Sequence, residues 1–163
     1  MASEKKEYIK LEFALNGSIY NFDTVFPTDN FSILIEIPPI NTNLMIMTAS
    51  NSSNSNKYFN LGFYTTYFYL DIGKKRWTYN VKDGYLKEQS HRFGASVSNG
   101  ESRRVCDNSS VIVKSSVIEN AGTIIGNSNR HNQAEPNTVT AYLYNRVLTD
   151  AELQNYTQNG ILP

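Results

Sequence analysis

The chain has one cysteine, Cys106, in 163 residues, so no internal disulfide holds its fold. A lone cysteine of this kind reads as a small buried hydrophobe. It has only two histidines, His91 and His131, far apart in sequence. His91 falls on an apolar face and reads as a structural histidine with its partners satisfied, not as a ligand or a base. Neither sign of charge is in excess, since 15 Lys and Arg balance 15 Asp and Glu. Surfaces made for nucleic acid or anionic membrane carry a basic patch, so neither is expected as a partner. No run approaches the roughly 20 apolar residues of a membrane span. Helical periodicity is missing before the last twenty residues, and there is no internal repeat. What remains is one domain long enough to bury its own core.

Aromatic residues and two-residue alternation are plentiful, with 11 Tyr and 8 Phe. Tyr8 to Phe13 alternates with Ile9, Leu11 and Phe13 on one face. Asn16-Gly17 reads as a turn. Phe31 to Ile37, FSILIEI, is a buried strand stopped by Pro38-Pro39. Leu44 to Thr48 is the next strand, and the following ASNSSNSN is a surface loop. Lys57 to Ile72 reads as a hairpin. Phe59, Leu61, Phe63, Phe68, Leu70 and Ile72 form its core face, and Tyr64, Tyr67, Tyr69 and Asp71 its outer face. Trp77, Tyr79 and Val81 alternate in a further strand before the Asp83-Gly84 turn. His91, Phe93, Ala95 and Val97 share a face, and Arg103 to Cys106 answers them across Ser98-Asn99-Gly100. Val111 to Val113 and Thr123 to Ile125 complete the strands.

The C-terminal stretch from Val139 to Gly160 changes period. Val139 to Leu143 is a strand, and Asp150 to Gln158 a helix with both ends written in. Thr149 is its N-cap, with Glu152 three residues on completing a capping box, and Leu148 and Leu153 are placed as a hydrophobic staple. Asp150 suits the positive end of the helix dipole. Gly160 ends the helix in the left-handed conformation, with Ile161 folding back on the last turn.

This stretch, YNRVLTDAELQNY, resembles the closing signature of concanavalin A-like, laminin G-like domains. GTIIGNSN resembles that family's penultimate strand and its exit. The resemblance implies an all-β, two-sheet antiparallel jelly roll over residues 1–163, with one short C-terminal helix. It names no ligand, because one fold hosts many functions. Sandwich glucanases of this superfamily place carboxylates at Glu-x-Asp-x-Glu on one strand for glycoside hydrolysis. Here the nearest approach is Asp150-x-Glu152, which the capping box explains, and Cys106 beside Asp107 has no recognisable base. The expectation is no catalytic residue and no enzyme.

No resident cofactor is expected either. Laminin G-like domains often hold calcium through loop oxygens, and the positions this implies are Asp23, Asp71, Asp107, Asn127 and Asn129. Glycans stack on aromatic rings and hydrogen-bond to amides and guanidinium groups. The candidates for such contacts, or for a protein interface of similar chemistry, are Tyr64, Tyr67, Tyr69, Trp77 and Tyr79, with Asn54, Asn56, Asn129, Arg130 and His131 in loops. The opening MASEKKEYIK is charged and carries no apolar leader. The function expected is thus a non-enzymatic, lectin-like adhesion module on a virus particle, a phage capsid decoration or tail protein that contacts host or mucus glycans. The alternatives are a purely structural virion protein, which would be oligomeric within an assembly, and a glycan-binding module cut from a secreted bacterial adhesin or glycosidase on a cell surface.

Overall fold

The computed structural model describes residues 8–15, 20–40, 43–49, 58–64, 66–73, 75–81, 89–115, 117–118, 122–126 and 138–163. The expected turns at Asn16-Gly17 and Asp83-Gly84, and the loop that runs on from Ala49, lie outside them. Twelve strands and one helix are described. They are β1 (Tyr8–Ala14), β2 (Tyr20–Val25), β3 (Phe31–Ile37), β4 (Leu44–Ala49), β5 (Tyr58–Tyr64), β6 (Tyr67–Gly73), β7 (Lys75–Asn80), β8 (His91–Ser98), β9 (Glu101–Cys106), β10 (Ile112–Ser115), β11 (Thr123–Gly126), β12 (Thr138–Tyr144) and α1 (Asp150–Asn159).

The strands form two six-stranded antiparallel sheets. Sheet A runs β1-β12-β3-β8-β9-β10, and sheet B runs β2-β11-β4-β5-β6-β7. The alternation seen in the sequence is the reason. One side of each sheet is apolar, and the two apolar sides close on each other around Phe31, Ile33, Ile35, Phe59, Leu61, Phe68, Leu70, Phe93 and their neighbours. Phe26 joins the sheets, its ring stacked on Phe59 at 4.8 Å and edge-on to Phe31 at 4.9 Å. The sequence reading missed β2. Its residues Tyr20 to Val25 alternate only between half-buried and exposed, so this edge strand has no strongly apolar face to betray it.

A second, smaller core lies on the other side of sheet A, where Leu34, Val105 and Tyr144 meet Leu148, Leu153 and Tyr156. This is why β3 is buried on both faces. Gly94 allows the close approach, since a side-chain carbon there would sit 3.3 Å from both Leu153 and Leu34. The helix begins as its sequence dictates. Thr149 Oγ1 accepts the Glu152 N–H at 3.1 Å, and the Glu152 carboxylate accepts the Thr149 N–H at 3.0 Å. Arg146 pairs with Glu152 at 3.2 Å and holds its carboxyl below the usual range. Arg103 of β9 reaches Asp150 in the first turn at 2.7 Å. Thr149→Ala is expected to lower stability by about 1 kcal/mol in urea unfolding, through loss of the cap. At the other end Gly160 has φ 73, and its N–H donates to Tyr156 O at 2.7 Å. Ile161 does not fold back as expected. It is 52% exposed, and Leu162 packs on the small core instead.

Candidate functional site

With α1 covering part of sheet A, the outer side of sheet B is the face left open among the described residues. Its residues follow from register. In the β5–β6–β7 hairpins, Tyr64 is opposite Tyr67, Gly62 opposite Tyr69, and Asn60 opposite Asp71. Across the next ladder, Tyr69 is opposite Thr78, Asp71 opposite Arg76, and Tyr67 opposite Asn80. Because Phe59, Leu61, Phe63, Phe68, Leu70 and Ile72 are drawn into the core, these partners must all face outward.

Two groupings stand on this face. The first is a ring pair, Tyr64 and Tyr67, edge to face at 6.1 Å, with Tyr64 53% exposed. The second is a guanidinium held on two sides. Arg76 Nε and Nη2 donate to the two oxygens of Asp71 at 2.7 and 2.9 Å, a bidentate geometry of the strong kind. The same guanidinium lies 4.5 Å from the centre of the Tyr69 ring. The Asp71 hydrogen bonds raise the Arg76 pKa beyond its ordinary value, so the cation is permanent. Asn60 Nδ2 approaches Asp71 from the other side at 3.5 Å. Beneath the assembly, Tyr69 lies over Gly62, where a side-chain carbon would overlap the ring. Its hydroxyl reaches Met45 Sδ at 3.6 Å. Tyr69 is therefore bedded on glycine and capped by Arg76. The rim that meets solvent is the outer edge of the guanidinium, together with Tyr64, Tyr67, Thr78 and Asn80.

The expected aromatic surface is thus divided. Trp77 and Tyr79 do not join Tyr64, Tyr67 and Tyr69. They stand opposite Leu70 and Phe68, so alternation turns them to the core side, where both pack on the main cluster. Trp77 meets Phe93 of the facing sheet at 6.3 Å. Both remain half-buried because β7 is an edge strand. The loop candidates Asn54, Asn56, Asn129, Arg130 and His131 lie outside the described residues.

The positions that the calcium resemblance implies are also spread out. Asp23 is on the edge strand β2, exposed, with φ 56. Asp71 is four strands across the same sheet, with both oxygens engaged by Arg76. Asp107 follows β9 in the other sheet. Asn127 and Asn129 lie outside the described residues.

Asp107 does have close neighbours that sequence spacing concealed. His91, Cys106 and Asp107 place their ligating atoms within 4.8 Å of one another, and His91 Nδ1 is 2.6 Å from Asp107 Oδ2. The cysteine therefore has a histidine beside it, contrary to the expectation from sequence. The residue types are those of a Cys-His-Asp nucleophile, but the setting is wrong for one. Cys106 and His91 are buried in the core, with His91 against the Phe68 ring at 5.2 Å. Burial, and then the Asp107 carboxylate, push the Cys106 thiol well above its ordinary pKa. A nucleophilic cysteine needs a thiolate and an approach for its substrate.

A second buried ionic group was unforeseen. Arg104 points from β9 into the space between the sheets and is fully buried. Its Nη1 donates to Leu70 O at 2.6 Å and Lys75 O at 2.8 Å, and its Nε to Ser102 Oγ at 3.0 Å. It thereby clasps the β6–β7 hairpin that carries Tyr69, Asp71 and Arg76.

No family model matches the chain, and no curated protein matches it. Solved structures do. The CBM40 of the Ruminococcus gnavus IT-sialidase, solved bound to alpha2,3 sialyllactose, superposes with a TM-score of 0.62 at 15% identity, over 94% of this chain and 97% of that one. Trypanosoma rangeli sialidase in complex with the inhibitor DANA gives a TM-score of 0.65 at 11% identity, over 94% of this chain but 28% of that one. Domains LG4-5 of the mouse laminin alpha1 chain give 0.52 at 11% identity, over 92% of this chain and 46% of that one. At such identities the likeness establishes the fold, a concanavalin A-like jelly roll shared with lectin-like and laminin G domains.

Proposed function

We propose that this domain is a non-enzymatic, lectin-like module that binds glycans on the outer face of sheet B. The observation that carries the proposal is the preorganised group on that face. Arg76 is fixed between Asp71 and the Tyr69 ring, with the Tyr64–Tyr67 pair on the same surface. A guanidinium held in this way presents its remaining N–H groups at little conformational cost, which suits sugar hydroxyl or carboxylate oxygens. An exposed tyrosine ring suits the apolar side of a pyranose. The likeness to a sialidase CBM40 that was solved with sialyllactose supports the class of ligand. The absence of catalysis is part of the same proposal, supported by the protonated, enclosed thiol of Cys106.

A glycan array that includes sialylated and neutral oligosaccharides, run beside a mass measurement in solution, tests the reading. Binding by a monomer, lost in Arg76→Ala with the fold retained, is the expected result. A silent array with a stable oligomer would replace it by the assembly reading. That second reading has an observation of its own at the opposite edge of the sandwich. An apolar cleft of about 310 Å³ there is lined by Ile9, Val25, Pro27 and Leu143, with Ile9 and Val25 more than half exposed. Display on a virus particle belongs to the proposal on the sequence expectation alone. Probing purified particles with an antibody checks it, and detection confined to a cell surface would overturn it.

A further inference from the structure

We propose that His91, Cys106 and Asp107 form a binding site for a zinc-class divalent cation at the end of the β8–β9 ladder, independent of the sheet B face. The backbone brings the three together. Phe93 is opposite Cys106 in the ladder, and His91 lies two residues before Phe93 on the same side. His91 and Cys106 are therefore diagonal neighbours facing the core. The residue after Cys106 would ordinarily point away, because side chains alternate along a strand. Asp107 instead has φ 49, and this left-handed turn brings its carboxylate back to His91. The main chain holds it there. Asp107 Oδ1 accepts the Arg92 N–H at 3.0 Å, and the Asp107 N–H donates to Arg92 O at 2.9 Å.

The donor atoms choose the ion. One imidazole nitrogen, one sulfur and one carboxylate oxygen make a set for zinc. Calcium and magnesium take oxygen alone. A tetrahedral ion with bonds of about 2.0 to 2.3 Å spaces its ligand atoms at about 3.4 to 3.5 Å. The observed atoms all lie within 4.8 Å. Seating the ion requires the widest of these to close by about an ångström and the His91–Asp107 pair at 2.6 Å to open by nearly as much. Asp107 Oδ2 would ligate while Oδ1 stays on the Arg92 amide, an outer-shell anchor of the usual kind. The fourth position falls to water. It enters beside Asp107, whose side chain is 18% exposed while that of His91 is fully enclosed. Cys106 would ligate as the thiolate, its proton leaving to solvent as the ion binds.

Cobalt titration of the metal-free protein reads the site directly. Cys106 is the chain's only cysteine, so any thiolate-to-cobalt charge-transfer band belongs to it. The expected result is such a band saturating at one ion per chain and displaced by zinc, with zinc raising the thermal midpoint. Cys106→Ala is expected to lose both the band and the zinc-dependent rise. A titration without a thiolate band overturns the proposal on the unmodified protein. Stabilisation by zinc that survives in Cys106→Ala overturns it too, by placing the ion elsewhere.

Discussion

Replacing Arg104 by alanine is expected to cost about 3–5 kcal/mol of folding stability, the largest single effect foreseen for this chain. Two terms combine. The side chain is fully buried between the sheets, so its removal leaves a void of several heavy atoms. The carbonyls of Leu70 and Lys75 also lose a charged donor, and a buried acceptor left without one costs about 1–3 kcal/mol. Burial itself opposes the charge and pushes the guanidinium down to about 10, with nearby Asp71 partly offsetting it. That value is far enough above neutrality for the cation to persist, so the loss should not change with pH near neutrality. Arg104→Met separates the two terms. It restores volume without the donors, and it removes a buried charge whose desolvation was itself costly. It should therefore recover a large part of the loss. Urea unfolding of the three proteins measures this. An alanine variant within about 1 kcal/mol of the wild type would mean that the sheets close over the gap and that the clasp on the β6–β7 hairpin is dispensable.

Gly62→Ala is expected to weaken the proposed glycan binding by more than about tenfold while leaving the fold intact. The added carbon would overlap Tyr69 at its hydroxyl end, so the ring must leave its bed. Arg76 then loses the aromatic surface 4.5 Å away, one of the two supports that orient it. Stability should move little, because alanine in a strand is about 0.5–1 kcal/mol better than glycine and offsets the lost stacking. Calorimetric titration with a glycan identified on the array is the measurement, beside thermal unfolding. Unchanged affinity in a folded Gly62→Ala would move the site off this face. A collapse in stability would show instead that Tyr69 cannot swing aside.

How much of this was legible beforehand depended on the range of the interactions involved. The closing helix was readable to within a residue at its end. Its capping box, its glycine stop and its first-turn acid act within a few residues, and Thr149, Glu152 and Gly160 do in the structure what their spacing implies. The faces of β5, β6 and β8 were readable for a similar reason. Apolar residues at every second position leave only one way to bury them, and Phe59, Phe68 and Phe93 are all enclosed. The outward side of Tyr64, Tyr67 and Tyr69 followed from that.

Tertiary structure alone decided which distant residues meet. Trp77 and Tyr79 looked like companions of the outer tyrosines, until the β6–β7 register put them opposite Leu70 and Phe68 on the core side. Arg104 sits at a core-facing position of its strand, yet a charged residue there carries no local sign of being buried. The carbonyls of a hairpin about thirty residues away, with the Ser102 hydroxyl beside it, make that position tolerable. Cys106 appeared to lack a basic neighbour because His91 lies on another strand, and a left-handed Asp107 is what closes the group. Local sequence sets period, caps and faces, since backbone hydrogen bonding and burial repeat every two or four residues. The pairing of strands sets the chemistry, since ladders join residues that no spacing along the chain brings together.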